Sequence, residues 1–190
     1  MSALSQKVII LTAPSGAGKT SIAQFLLKRF PNLSFSVSAT TRAPRGNEKD
    51  GVEYHFISVD RFEGLIDQNE FLEHEMVYKD VYYGTLKSEL TRIWEQGKTP
   101  ILDIDVKGAI HVQKQLGKNC LSIFIQPPSI ATLKERLEKR KTETPESIQM
   151  RLDKAAYEIS FSHEFNAIIK NDVLELACAE TEKVIIEFLK

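Results

Sequence analysis

A chain of 190 residues, 42% hydrophobic and 27% charged, has room for one α/β domain with a full core and a small insertion. Its formal net charge of −1 excludes a global field for nucleic acid or anionic membrane, so a bound anion needs a local cluster of donors. The first seven residues are too polar for a signal peptide, and no apolar run approaches the roughly 18 residues of a membrane span.

The run "KVIILT" (7–12) is short, apolar and β-rich, which predicts a strand buried on both faces. "APSGAGKTS" (13–21) follows it. Its residues Ala13, Pro14, Ser15, Gly16, Ala17, Gly18, Lys19, Thr20 and Ser21 approach the pattern G-x-x-x-x-G-K-[ST], with Ala13 in place of the first glycine. A strand before and a helix after are the context that a phosphate-binding loop requires. Gly16 and Gly18 let backbone N–H groups turn toward phosphate oxygens, Lys19 reaches the β- and γ-phosphates, and the Thr20 hydroxyl suits Mg²⁺. Ala13 precedes Pro14, which biases it to extended conformations with negative φ, so the loop is expected to work without the glycine.

The helix after the loop presents Ile22, Phe25, Leu26 and Phe30 on one face and stops at Pro31. A second strand is expected at 33–38. The polar, Pro- and Gly-rich "TTRAPRGNEKDG" (40–51) reads as loop throughout. From 54 to 83 the pattern changes: "YHFIS" and "EFLEHEMVY" alternate like strands of an open sheet. A helix lies between them, with Asp60 and Glu63 in capping-box spacing.

Strand–helix alternation then resumes. The pattern predicts a helix at 86–96, a strand at 100–105, a helix at 106–116 and a strand at 120–126. Beyond these come a helix at 130–140, another from Thr144-Pro145, a strand at 166–171 and a last helix at 174–189. Five buried strands alternating with helices imply a parallel sheet covered on both faces. The organisation read from this is a single domain, 1–190. Its core is 1–38 and 86–190, and its α+β insertion is 39–85. Cys120 and Cys178 have neither zinc-ligand nor C-x-x-C spacing and read as two reduced, buried thiols, with a cytoplasmic setting.

The loop names a nucleoside triphosphate and leaves the acceptor open. "SVSATTRAPR", "GVEYHF", "FLEH", "YYGT", "ILDID" and "RLEKRKTETPESIQMRL" stand in the order and spacing of guanylate kinases, and the chain resembles that family from about residue 7 to its end. The resemblance implies a P-loop kinase fold, with a GMP-binding insertion at 39–85 and a helical lid at 136–151. It also implies the Mg²⁺-dependent reaction ATP + GMP ⇌ ADP + GDP, with ATP and GMP as partners and no nucleic acid or membrane.

The guanidinium groups of Arg42 and Arg45 suit a phosphate dianion, and Tyr54 and Tyr83 add phenolic donors. By resemblance these four hold the GMP phosphate. Guanine presents two adjacent donors, N1–H and N2–H₂, which the Glu73 carboxylate can accept together; adenine presents an acceptor at N1. By resemblance Ser38 and Thr85 complete the base site, Thr85 near O6, and Asn171 lies by the adenine of ATP.

Asp103 and Asp105 end a buried strand on the same side. Asp103 suits the water shell of Mg²⁺ together with Thr20; by resemblance it also lies on the acceptor side, and a structural strand-end role stays open. Arg136, Arg140 and Arg151 are expected to neutralise the transferring phosphoryl group, on a charged segment without a large apolar anchor. Lys141 stands where the family commonly has glycine, and "KNDV" (170–173) replaces the more usual V-N-D-D. Two rival readings remain. One is a scaffold-type module that keeps this fold and binds phosphopeptides. The other is a kinase of the same fold acting on another phosphorylated acceptor.

Overall fold

The computed structural model describes residues 6–139 and 144–190. In chain order the elements are β1 (Val8–Thr12), α1 (Lys19–Arg29), β2 (Leu33–Phe35), β3 (Ala39–Thr40), β4 (His55–Phe56), α2 (Val59–Asp67), β5 (Phe71–Tyr78) and β6 (Val81–Leu86). They continue with α3 (Lys87–Glu95), β7 (Thr99–Asp103), α4 (Val106–Leu116), β8 (Cys120–Gln126), α5 (Ile130–Lys139), α6 (Pro145–Ser160), β9 (Ala167–Lys170) and α7 (Leu174–Leu189). One sheet is five-stranded, in the order β2-β7-β1-β8-β9, and a second is four-stranded, in the order β4-β3-β6-β5.

Contacts divide the chain into two compact units. One holds Asn32–Leu102; the other holds Lys7–Pro31 with Asp103–Lys190. In the second unit β1 pairs β8 in parallel from Val8↔Cys120 to Thr12↔Phe124, and β8 pairs β9 in parallel. Every residue of β1 is buried, as are the first six of β8, because helices cover both faces: α4 packs on β1 and β8, and α7 on β9 and α1. At the edge, β9 departs from the expected full burial. Ile169 is buried while Ile168 is 44% exposed. Cys120 and Cys178 are both free and buried, and burial alone pushes the Cys120 thiol up to about 12, which keeps it protonated and inert at neutral pH.

In the first unit β2 pairs β7 in parallel, Leu33↔Thr99 to Phe35↔Ile101. The expected strand 33–38 is therefore shorter. After three residues the chain leaves this ladder and joins the second sheet as β3, which pairs with β4 and β6 at once. Thr40, expected in the loop, is a strand residue for that reason. β6 is not among the predicted elements; it forms an antiparallel hairpin with β5 through a tight turn in which Asp80 takes φ 63°. The cap of α2 is Ser58, whose hydroxyl accepts from the Arg61 N–H, and not Asp60. Phe62 on α2 stacks on Phe71 and Tyr82 at centroid distances of 4.2 and 5.1 Å, closing a small core beneath the four-stranded sheet.

Between α5 and α6, Leu133, Leu137, Ile148, Leu152 and Ala155 form one buried cluster. The expectation of a lid segment without an apolar anchor fails at Leu137 and Ile148, which lock the two helices together. Arg140 and Lys141 lie outside the described residues. Among the described residues, no helix is long and apolar enough to cross a membrane.

Candidate active site

The loop after β1 has the conformation its glycines require. Gly16 takes φ 93° and Gly18 φ 98°. A Cβ on Gly18 would lie 2.1 Å from Asn171 Nδ2, so no other residue fits there. Among the described non-glycine residues only Asn69 and Asp80 have positive φ, so Ala13 keeps a negative φ and the missing glycine costs the backbone nothing. Gly18 opens α1, whose first turn carries no acidic side chain, so its N–H groups and dipole are left to favour an anion.

Around this loop the side chains form a connected set. The Lys19 ammonium pairs with the Asp103 carboxylate at the end of β7, and the two side chains remain 22% and 35% exposed. Arg151 donates from Nη1 to Ser15 Oγ at 2.6 Å, which brings a cation from α6 onto the loop. Arg136 Nη2 donates to the Asn171 carbonyl at 3.0 Å. Asn171 is 3% exposed, and its Nδ2 donates to the Ala17 carbonyl at 2.7 Å, so its side chain braces the loop from beneath. Its Oδ1 is buried with no partner among the described residues.

The expected strand 100–105 ends at Asp103, and Asp105 lies beyond it, so the two aspartates divide their work. Asp105 caps α4, accepting the Gly108 N–H at 2.8 Å, whereas Asp103 faces Lys19. Among the described residues, no group of three or more His, Cys, Asp or Glu could cage a metal. The part-exposed Asp103 carboxylate and the exposed Thr20 hydroxyl at the start of α1 fit Mg²⁺, which keeps several waters and needs only one or two protein ligands besides substrate phosphates.

Just after β3, Arg42 is the centre of a second cluster. Its side chain is 10% exposed and its two Nη atoms grip the Glu48 carboxylate at 2.6 and 2.8 Å. Nε donates to the Tyr83 hydroxyl at 3.0 Å, and the guanidinium lies 4.8 Å from the Tyr54 ring centroid. Glu48 also accepts the Arg45 N–H at 2.8 Å. The Arg42 hydrogen bonds, with the Arg45 N–H, hold the Glu48 carboxyl at about 2, well below the usual range. An oxyanion in the plane of this fork is what the cluster binds, and here Glu48 supplies it. Arg45 itself is exposed.

Strict alternation along β5 would put Phe71 and Glu73 on the same face. They are not. Phe71 pairs Leu86 and Glu73 pairs Thr85, so two residues of β5 oppose one of β6 in a bulge. The bulge sends Phe71 into the core with Phe62 and turns Glu73 to the opposite face, the one that carries Tyr83 and Thr85. There the Thr85 hydroxyl, 1% exposed, donates to Glu73 Oε1 at 2.6 Å. Thr85 has one hydrogen and gives it to Glu73, so it fixes the carboxylate and offers no donor to a guanine O6 in this arrangement.

Gly84 makes the bulge possible. An added Cβ would stand 2.8 Å from Phe71 Cδ1 and 2.9 Å from the Glu73 carbonyl oxygen. The G84A variant is expected to lose about 1–3 kcal/mol of stability by overpacking. Denaturant melts check this.

Three carboxylates with partners are missing from the predicted site residues. Glu48 lies in a loop, where no periodicity marks a partner. Glu89 and Glu158 did carry a signal, since each stands on the buried stripe of its helix, with Leu90 and Ile93 on α3 and with Ile148, Leu152 and Ala155 on α6. Burial pushes the Glu158 carboxyl up, against the pull of Lys154 at 3.7 Å.

A family model described as guanylate kinase matches residues 5–188. Among curated relatives, the guanylate kinase of Bacteroides thetaiotaomicron is 51% identical over 183 residues, covering 96% of this chain and 90% of that protein. The guanylate kinase of Porphyromonas gingivalis is 48% identical over 184 residues, covering 96% and 98%. Among solved structures, the guanylate kinase of Anaplasma phagocytophilum superposes with a TM-score of 0.75 at 31% identity, covering 97% of this chain and 87% of that one.

Proposed function

The chain belongs to the guanylate kinase family, nucleoside monophosphate kinases that phosphorylate GMP, and on that premise we propose how its own residues divide the work. The ATP phosphates lie on the loop 13–21 and the N-terminus of α1, with Lys19 on the β- and γ-oxygens. The GMP phosphate takes the place of Glu48 in the Arg42 fork, flanked by Arg45, Tyr54 and Tyr83. Glu73, fixed by Thr85, accepts the N1–H and N2–H₂ of guanine, and Ser38 completes the base site.

An oxygen of the GMP phosphate attacks the γ-phosphorus of ATP, the bond to the β-phosphate oxygen breaks, and ADP leaves with the electron pair. The acceptor is already anionic at neutral pH, so no general base is needed and the protein contributes positioning and charge neutralisation. Arg136, Arg140 and Arg151 neutralise the equatorial oxygens. Mg²⁺, held by Thr20 and, through water, by Asp103, adds Lewis-acid polarisation of the phosphates when bound. Asn171 serves ATP by holding the loop. Two reduced thiols suit a cytoplasmic enzyme.

The observation that carries this reading is the Thr85–Glu73 hydrogen bond on the same sheet face as the Arg42–Tyr83 pair. It supports a base reader and a phosphate grip that share one surface. The test is ADP release from Mg-ATP with GMP, dGMP, AMP, CMP and UMP against no acceptor. Turnover with GMP, or with GMP and dGMP, is expected. Turnover with AMP instead would sink the assignment of Glu73, and silence with every acceptor would return the phosphopeptide-binding alternative.

A further inference from the structure

Residues 36–38 carry the chain from one sheet to the other, and each backbone donor in such a crossing needs a partner. Ser36 N–H bonds the Ile101 carbonyl at 2.9 Å, extending the β2–β7 ladder. The Ser38 carbonyl accepts from His55 N–H at 2.9 Å, opening the β3–β4 pairing. Val37 lies between, where neither ladder reaches its N–H. Glu89 Oε1 accepts that N–H at 3.1 Å.

Glu89 is unusual in its choice of partner. It is the third residue of α3, a position from which glutamate ordinarily turns back on the helix cap. Instead it is 5% exposed, and Arg92 grips both its oxygens, Nε at 2.8 Å and Nη2 at 2.7 Å. Burial pushes the carboxyl up, but the Arg92 fork and the Val37 N–H outweigh it and hold it below the ordinary value. An ion pair of this kind, with Glu89 buried and Arg92 48% exposed, is weak evidence for stability, since the desolvation of the carboxylate offsets much of the attraction. Its consequence is geometric. α3 begins at the residue after β6, so Glu89 stands four residues from Thr85 and bonds the residue before Ser38. One hydrogen bond therefore ties the segment leading into the four-stranded sheet to the segment leading out of it.

We propose that Glu89, oriented by Arg92, is a positioning residue for the acceptor base: by fastening Val37 it fixes the distance between Ser38 and the Glu73–Thr85 pair. The inference rests on Ser38 and Glu73 being base contacts, as read above.

The experiment measures KM for GMP and for ATP, kcat and the melting temperature of the full chain carrying E89A, E89Q, R92M or S38A. E89A is expected to raise the GMP KM about tenfold while the ATP KM stays within about twofold. E89Q keeps an acceptor for Val37 and loses the charge, so it and R92M should give a smaller rise, about threefold, again confined to GMP. Should E89A fail to fold, these two decide. A fall in melting temperature with both KM values unchanged, or equal rises in both, overturns the proposal and leaves Glu89 a structural ion pair. S38A separates the two levels. If S38A leaves the GMP KM unchanged while the Glu89 variants raise it, Ser38 is not a base contact and the proposal falls with that reading. If S38A raises it and the Glu89 variants do not, the positioning role is wrong.

Discussion

E73Q is expected to lower kcat/KM for GMP by about 10²–10³, while the ATP KM stays within about twofold. The carboxylate offers two acceptors to two guanine donors. Glutamine keeps one acceptor and turns an NH₂ toward the other donor, so one buried donor loses its partner and two donors face each other. That loss is on the order of 3–4 kcal/mol when the groups are desolvated. Adenine is the mirror case. Its N1 accepts and its N6 donates, which is what the glutamine amide complements, so the GMP-to-AMP ratio should narrow further than the GMP loss alone. The Thr85 hydroxyl strengthens the expectation, because its 2.6 Å bond to Oε1 fixes the orientation of the side chain before a base arrives. Steady-state rates with GMP and AMP at saturating ATP give the answer. Unchanged GMP kinetics would mean that another residue reads the base.

How much of the fold is legible in the sequence depends on what kind of pattern each feature leaves. The strands β1 and β8 and the helices α4, α6 and α7 were legible because burial on both faces, or a stripe with a cap and a stop, writes a run or a period into local sequence. Thr144 capping a helix that starts with Pro145 is the clearest instance. The four-stranded sheet was harder. β4 lies within the longer run expected at 54–58, whereas β3 is two residues long, too short for any alternation, and is a strand through its pairing with β4 and β6.

The bulge at Glu73 inverts the face that a period-2 reading assigns, and its cause lies partly on the other strand, in the missing Cβ of Gly84. Glu48, Asp105 and Glu89 show the same limit at the level of single groups. Each is one acidic residue among 26. What separates a clasp on Arg42, a cap on α4 and a clamp on Val37 is the partner that the fold brings to it.

Lys19 gives the largest expected effect on turnover. Replacing it with methionine, which keeps the apolar stem, removes the cation nearest the expected β- and γ-phosphates. Loss of a single preorganised charge-stabilising donor costs about 10²–10³ in rate, and a full charge on the transferring group belongs at the upper end, on the order of 10³ or roughly 4 kcal/mol. The GMP KM should stay within about twofold, since Lys19 serves the donor. The fold should survive. The Asp103 carboxylate that loses its partner is 35% exposed and can be hydrated, so its stranding costs little. It does add a negative charge facing anionic phosphates. K19M should therefore raise the ATP KM as well, and D103N in the K19M background should recover part of that rise while lowering kcat no further by the factor it costs alone. Such non-additivity is what a directly interacting pair produces. A K19M protein that retains kcat within about tenfold would show that loop 13–21 is not where phosphoryl transfer is catalysed.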